Sequence, residues 1–327
     1  MLTIADRREW LAFRGRFVTP DGRVIDSYNK WTSSECQGYG LVIATAAADK
    51  AGFEAMLAWT RANLRIRGDK LHAWRWNPAD TPRVKGDSKN AATDGDLMIA
   101  WALLRGADRW NRPDWRQEAL EIAHDIRAKL VSGNGDALTL LPGEWAYNPG
   151  RIIINPSYLI VPALRALHRA APGAGWDKVL MHGLYLLASA VGGDDKLPAD
   201  WAALTPQQPM PKPIALNPGD TIGFRFDAVR VPLNLVWGGL SHQPGVTAPA
   251  AFWKARGNSN LQVFPNKLEP YAGNIGIEGI ASLARAAVAG NLAQTVVKPV
   301  AQAHFYYDAA LSLLVRLARA EGTALTA

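Results

Sequence analysis

A chain of 327 residues with 48% hydrophobic and 20% charged residues is long enough to bury a large core, which excludes a disordered tail, a mini-protein and a fibre. The 36 Lys and Arg against 29 Asp and Glu give a formal net charge of +7, but the cations recur beside acids along the whole chain instead of in a block. A solvated surface explains that spread better than a nucleic-acid site does. A single cysteine, Cys36, excludes an internal disulfide framework, and six histidines without an H-E-x-x-H or C-x-x-C pattern argue against zinc, so neither metal nor cofactor is expected.

In chain order, Met1 to Arg8 lacks the apolar segment of a secretory signal, and no apolar run reaches the roughly 18 residues that span a bilayer. Helical period then dominates. Phe53, Met56, Leu57, Thr60 and Leu64 share one stripe, as do Leu97, Trp101 and Leu104, then Leu120, Ala123, Ile126 and Leu130, and finally Tyr307, Ala310, Leu314 and Leu317. Ile280 to Ala289 is Ala-rich and suits a helix packed closely on its neighbours. Gly and Pro punctuate these stretches, and the segment from Gly192 to Gly223, with Pro198, Pro206, Pro209, Pro211, Pro213 and Pro218, predicts a long irregular loop. Without a composition break or an exact repeat, one all-helical domain over residues 1–327 is expected. The 13 Trp against 8 Phe and 8 Tyr are unusual, because an indole is a flat platform for the apolar face of a sugar ring as well as a core residue.

Three acidic constellations carry the candidate chemistry. Around Glu35, Thr32-x-x-Glu35 and Ser34-x-x-Gln37 fit capping boxes, and local pattern alone favours that account. A carboxyl beside Cys36, Tyr39 and glycines also suits a tight cleft, where burial would keep it protonated as a general acid while the positive end of a helix pulls the other way. Around Asp94 and Asp96, Thr93-x-x-Asp96 fits a cap, and two carboxylates flanking Gly95 could instead grip paired sugar hydroxyls. Asp227 stands before Arg230 at the i,i+3 spacing of a salt bridge, and the neighbouring guanidinium charge would hold it ionised, as a general base requires.

Taken together, these segments resemble glycoside hydrolase family 8. The pattern S-E-G-x-G-Y-G stands as Ser34 to Gly40 with Cys36 in place of its first Gly, and A-[ST]-D-G-D-x-x-I-A-x-A-L is matched throughout by Ala92 to Leu103. D-A-x-R stands as Asp227 to Arg230, N-P-S-Y as Asn155 to Tyr158 with Pro162 beyond it, and Tyr306-Tyr307 with the following Leu stripe is similar to the family's last helix. The resemblance implies an all-α (α/α)6 barrel of six inner and six outer helices with an open cleft for a β-1,4-linked glycan. It implies inversion of the anomeric centre, with Glu35 as general acid and Asp227 as general base. Asp94 matches the carboxylate that holds the sugar at the cleavage point, Tyr158 a residue near the attacking water, Arg230 one that orients the base, and Trp74 a stacking platform. Asp96 and Tyr307 complete the expected substrate-binding set. Phe226 stands where many relatives carry Tyr.

The resulting expectation is an endo-β-1,4-glucanase of cellulose-type glucan. Its alternatives are a chitosanase or other β-1,4-glycan hydrolase of the family, or a catalytically silent glycan-binding protein. The stretch Asp227 to Trp237 looks most like endoglucanases that accompany bacterial cellulose synthesis. That likeness implies a periplasmic or secreted protein whose signal peptide is absent from this sequence, with a cellulose synthase complex as a possible partner.

Overall fold

The computed structural model describes residues 3–326. Among them are eleven α-helices: α1 (Ile4–Phe17), α2 (Ser34–Ala47), α3 (Lys50–Asn63), α4 (Thr93–Trp110), α5 (Pro113–Lys129), α6 (Val161–Ala170), α7 (Trp176–Leu187), α8 (Arg230–Trp237), α9 (Pro244–Arg256), α10 (Ile275–Val288) and α11 (Tyr306–Thr326). Six of them form an inner ring, in which α2 packs on α4, α4 on α6, α6 on α8, α8 on α10, α10 on α11 and α11 back on α2. Burial on every face demands an apolar helix nearly all round, and α2 shows it: every residue except Glu35 is buried. The outer helices α1, α3, α5, α7 and α9 carry an apolar stripe toward the ring and a mostly polar outer face, with Leu11 of α1 and Met181 and Tyr185 of α7 as exposed apolar exceptions. This is the expected (α/α)6 barrel, and no described helix is long and apolar enough to cross a membrane.

At the sixth outer place, between α10 and α11, two 3-10 turns (Leu292–Gln294 and Val300–Gln302) stand where a sixth outer α-helix was expected. The local sequence explains the difference. Thr295, Val296 and Val297 are β-branched, and Pro299 both lacks a backbone donor and drives Lys298 out of the helical region.

The segment from Gly192 to Gly223 is more ordered than the loop expected from its prolines. It contributes Ala202–Thr205 and Gln208–Pro213 to a four-stranded antiparallel sheet whose order continues through Arg151–Ile154 to Tyr147–Asn148. Gln208–Pro213 is the edge strand, and Pro209, Pro211 and Pro213 alternate along it, so helix-breaking residues are compatible with a strand that is paired on one side only. Elsewhere Thr32–Ser33 pairs with Arg75–Trp76, while Gly223–Phe224, Asn260–Val263 and Lys267–Pro270 form a three-stranded sheet. These short strands lie in the loops that lead into the inner helices.

Two glycines set the approach of α2 to α4. A Cβ at Gly38 would lie 2.7 Å from the Cβ of Met98, and one at Gly95 would lie 2.2 Å from Ser34 Oγ. The two helix starts therefore touch backbone to side chain, which brings Glu35 and Asp94 together. Gly95→Ala is expected to destabilise the protein by about 1–3 kcal/mol and to lower kcat, because overpacking here forces the two carboxylates apart. Thermal unfolding read beside kcat checks this, and a variant with unchanged stability and rate would show that the contact relaxes freely.

Candidate active site

The residues that open α2, α4, α8 and α11 converge at one end of the barrel. Glu35 sits in the first turn of α2, but it takes no part in a capping box. The cap is Ser33, whose Oγ accepts the Cys36 N–H at 3.0 Å, whereas Thr32 donates to the Val24 carbonyl and the Gln37 amide bonds Val24, Met56 and Thr60. Glu35 is thereby left to face the cleft. The Ser34 N–H donates to the Trp74 carbonyl at 3.0 Å, which ties the acid's segment to the strand that follows Trp74.

The second expected cap is also absent. Thr93 belongs to α4 itself and donates to the Leu141 carbonyl at 2.5 Å, and the position before it is Ala92. Asp94 is buried, with Oδ1 accepting the Gly95 N–H at 2.8 Å. Asp96 is not in the cleft. It accepts the His72 N–H at 3.0 Å, its Oδ1 lies 2.7 Å from His72 Nδ1, and both side chains are sealed from solvent. The reason is helical geometry: two residues on, a side chain points roughly 200° away, so Asp94 and Asp96 cannot grip one sugar together. Asp96 instead holds the segment leading to Trp74 against α4.

Arg230, the first residue of α8, is the hub of the site. Its Nη1 donates to Glu35 Oε2 at 2.6 Å, to Tyr39 Oη at 2.9 Å and to Asp94 Oδ2 at 3.2 Å, while its Nη2 bonds Asp227 Oδ1. The guanidinium is nearly closed to solvent, with 5% of the side chain exposed, but Glu35 and Asp227 keep 22% and 29% of theirs open to the cleft. Tyr39 lies one turn beyond Glu35 on the same face of α2, an i,i+4 neighbour that the sequence contained without showing its partner. Tyr158 places its ring 5.9 Å from the guanidinium carbon and 6.2 Å from the ring of Trp201. Tyr307 donates its hydroxyl to the Phe226 carbonyl and so braces the turn before Asp227. Trp74 donates its indole N–H to the Asp87 carbonyl at 3.0 Å and meets Trp31 edge-on at 6.0 Å, with the Arg75 guanidinium 4.7 Å from each ring.

Burial pushes the Glu35 carboxyl up to about 8; Arg230 opposes this, and the negative charges of Asp94 and Asp227 add to it. Asp227 is also raised above the ordinary aspartate range. Arg230 does pull it down, as expected from the sequence, but burial outweighs that pull because one guanidinium serves three carboxylates. Cys36 is an ordinary helical residue with no left-handed backbone angle, and burial followed by the charge of Glu35 lifts its thiol to about 12, so it stays protonated. Beside Glu35 a cavity of about 390 Å³ opens between Tyr28, Phe226, Tyr271 and Phe305. The aromatic rings supply apolar walls and the acids a polar floor. Among the described residues, no group of three or more His, Cys, Asp and Glu side chains is placed to hold a metal ion.

The profile of glycosyl hydrolases family 8 matches residues 2–321. The chain belongs to that family. It is 34% identical over 323 residues to a probable endoglucanase of Novacetimonas hansenii, covering 97% of this chain and 91% of that relative. An endoglucanase of Cellulomonas uda is 31% identical across 83% of this chain and 72% of its own. Among solved structures, endo-beta-1,4-glucanase CMCax from Acetobacter xylinum superposes with a TM-score of 0.87 at 32% identity, covering 98% of this chain and 99% of that one. The barrel and its ring of inner helices are thus those of the family, as the motifs around Glu35, Asp94 and Asp227 implied.

Asp200 is the part of the site that sequence reading missed. Its Oδ1 accepts N–H donors from the turn that carries Asp227, and nothing in the local string Pro198-Ala199-Asp200-Trp201 signals a partner about 25 residues away.

Proposed function

We propose that this family 8 enzyme is an endo-β-1,4-glucanase that cleaves internal bonds of cellulose-type glucan with inversion, Glu35 acting as general acid and Asp227 as general base. The observation that carries the reading is Arg230 bridging Glu35, Asp94 and Asp227 at the floor of an aromatic-walled cleft. Inversion needs the two carboxyl groups about 6.5–9.5 Å apart so that water fits beside the base, and Glu35 and Asp227 meet the guanidinium at different nitrogens, Nη1 and Nη2.

In the reaction, Asp227 takes a proton from water as the water oxygen attacks the anomeric carbon. The glycosidic C–O bond breaks, its electron pair passes to the leaving oxygen, and that oxygen takes the proton from Glu35. Arg230 bonds Glu35 through Oε2, which leaves Oε1 to carry the proton. Asp94 accepts hydroxyls of the sugar at the cleavage point, Trp74 and Tyr158 bound that sugar's position, and Tyr307 keeps the base turn in place. The product glycosyl end is released first as the α-anomer.

Because a protonated acid and an ionised base are both required, kcat/KM is expected to follow a bell. Its alkaline limb lies near pH 8, where Glu35 loses its proton, and its acidic limb lies above the ordinary aspartate range because Asp227 is raised. An alkaline limb that persists near 8 in a variant lacking the Glu35 carboxyl would assign it elsewhere.

The first experiment combines reducing-end release and viscosity loss on carboxymethyl-cellulose, with chitosan and xylan in parallel. Rapid viscosity loss on the cellulose derivative alone supports the endoglucanase. Turnover of chitosan or xylan instead keeps the family mechanism and moves the substrate, and silence on all three favours a glycan-binding protein. The resemblance of the stretch Asp227 to Trp237 to endoglucanases that accompany bacterial cellulose synthesis supports an exported enzyme, periplasmic or secreted, working near a cellulose synthase complex. Cell fractionation of a producing bacterium tests that placement.

A further inference from the structure

The turn that delivers Asp227 is built on a carboxylate that the reaction above does not use. Asp200 lies between the strands Leu197–Pro198 and Ala202–Thr205, and its own N–H donates to the Gly223 carbonyl at 2.9 Å. Its Oδ1 accepts three backbone N–H groups, from Arg225 at 3.1 Å, Asp227 at 3.1 Å and Ala228 at 2.7 Å. Three donors converging on one oxygen form an anion nest, here filled by the protein's own side chain. No side chain caps α8, so this carboxylate orders the residues just before that helix in place of a cap. The nearest cation is committed elsewhere, since the Arg225 guanidinium bonds both carboxylate oxygens of Glu269 at 2.8 and 3.2 Å.

We infer that Asp200 is a positioning residue for the base: one carboxylate oxygen fixes the backbone turn from which Asp227 projects. The inference rests on the assignment of Asp227 as base. Burial and then the charge of Asp227 lift Asp200 to about 7, so the two carboxyls release their protons as an interacting pair. Asp227 is also faced by Arg230, Asp94, Glu35, Tyr158 and Tyr307, and Asp200 by Arg225. Because the charge of Asp227 is among the causes that lift Asp200, Asp227 becomes charged while Asp200 is still neutral, and replacing the Asp200 carboxyl leaves the acidic limb of the base in place.

The test compares Asp200→Asn, Asp200→Ala and Asp227→Asn in the full chain on carboxymethyl-cellulose. Asparagine keeps an oxygen for the three N–H groups but no charge; alanine keeps neither. Asp200→Ala is expected to lower kcat by about 10–100-fold with KM within about threefold, because a displaced base slows chemistry more than binding. Asp200→Asn is expected to recover most of that kcat, with its acidic limb within about half a unit of wild type because Asp200 is still neutral where Asp227 ionises. Wild-type kcat in Asp200→Ala, with Asp227→Asn inactive, would overturn the positioning role while leaving the base in place. An active Asp227→Asn would instead remove the base assignment and the inference with it. If Asp200→Ala fails to fold, Asp200→Glu decides: it keeps the carboxylate but displaces the accepting oxygen, so kcat is expected to fall with KM within about threefold, and a wild-type kcat would overturn the positioning role.

Discussion

Glu35→Gln is expected to lower kcat on carboxymethyl-cellulose by about 10²–10⁴-fold while leaving the fold intact, because an amide has no acidic proton to give the leaving oxygen. The substitution is close to isosteric, and the glutamine carbonyl can still accept from Arg230 Nη1, so the hub keeps its shape. Glu35, pushed up to about 8, is already protonated near neutral pH, so the amide changes no charge in the hub and stability is expected to hold. The informative comparison is leaving-group acidity. On an aryl glycoside of a glucan oligosaccharide whose phenol departs without protonation, the variant is expected to regain most of its rate. Equal losses on both substrates would assign Glu35 to binding. A rate near wild type on both would remove it from the reaction.

Asp227→Asn is the second large effect, again about 10²–10⁴-fold in kcat, since asparagine cannot take a proton from water. Arg230 keeps Glu35, Asp94 and Tyr39 as partners, and Asp227 is partly open to the cleft, so the fold is expected to persist. Sodium azide separates the base from a structural carboxylate. A small anion that needs no deprotonation can take the place of water, so azide is expected to restore part of the rate and yield an α-glycosyl azide. The same addition is expected to leave Glu35→Gln unrescued on polysaccharide, where leaving-group protonation is still missing. Rescue of both variants or of neither would separate Asp227 from water activation.

What was legible in the sequence divides along the range of the interaction. The helical stripes were read correctly because periodicity is local: Phe53, Met56, Leu57, Thr60 and Leu64 are all buried, as are Ala310, Leu314 and Leu317. Glu35, Asp94 and Asp227 were found through motif resemblance, and the structure brings them onto a single guanidinium that no spacing rule foretold. The failures are instructive for the same reason. Thr32 and Thr93 have cap-like spacing, but each finds a carbonyl from another segment, Val24 and Leu141, which outcompetes the local box. Asp96 looked like a partner of Asp94 in the string Asp-Gly-Asp, and the helix turned it toward His72. Asp200 was invisible because its donors come from beyond the intervening strands Ala202–Thr205 and Gln208–Pro213.

The proline-spaced edge strand Gln208–Pro213 also bears on how the protein behaves at high concentration. An open sheet edge is a template on which neighbouring molecules can pair and grow into aggregates. Pro209, Pro211 and Pro213 remove every second backbone donor there, and Lys212 adds a charge between two of them. The sheet therefore ends at this strand, and this flank offers a neighbouring molecule few backbone donors on which to build a further strand.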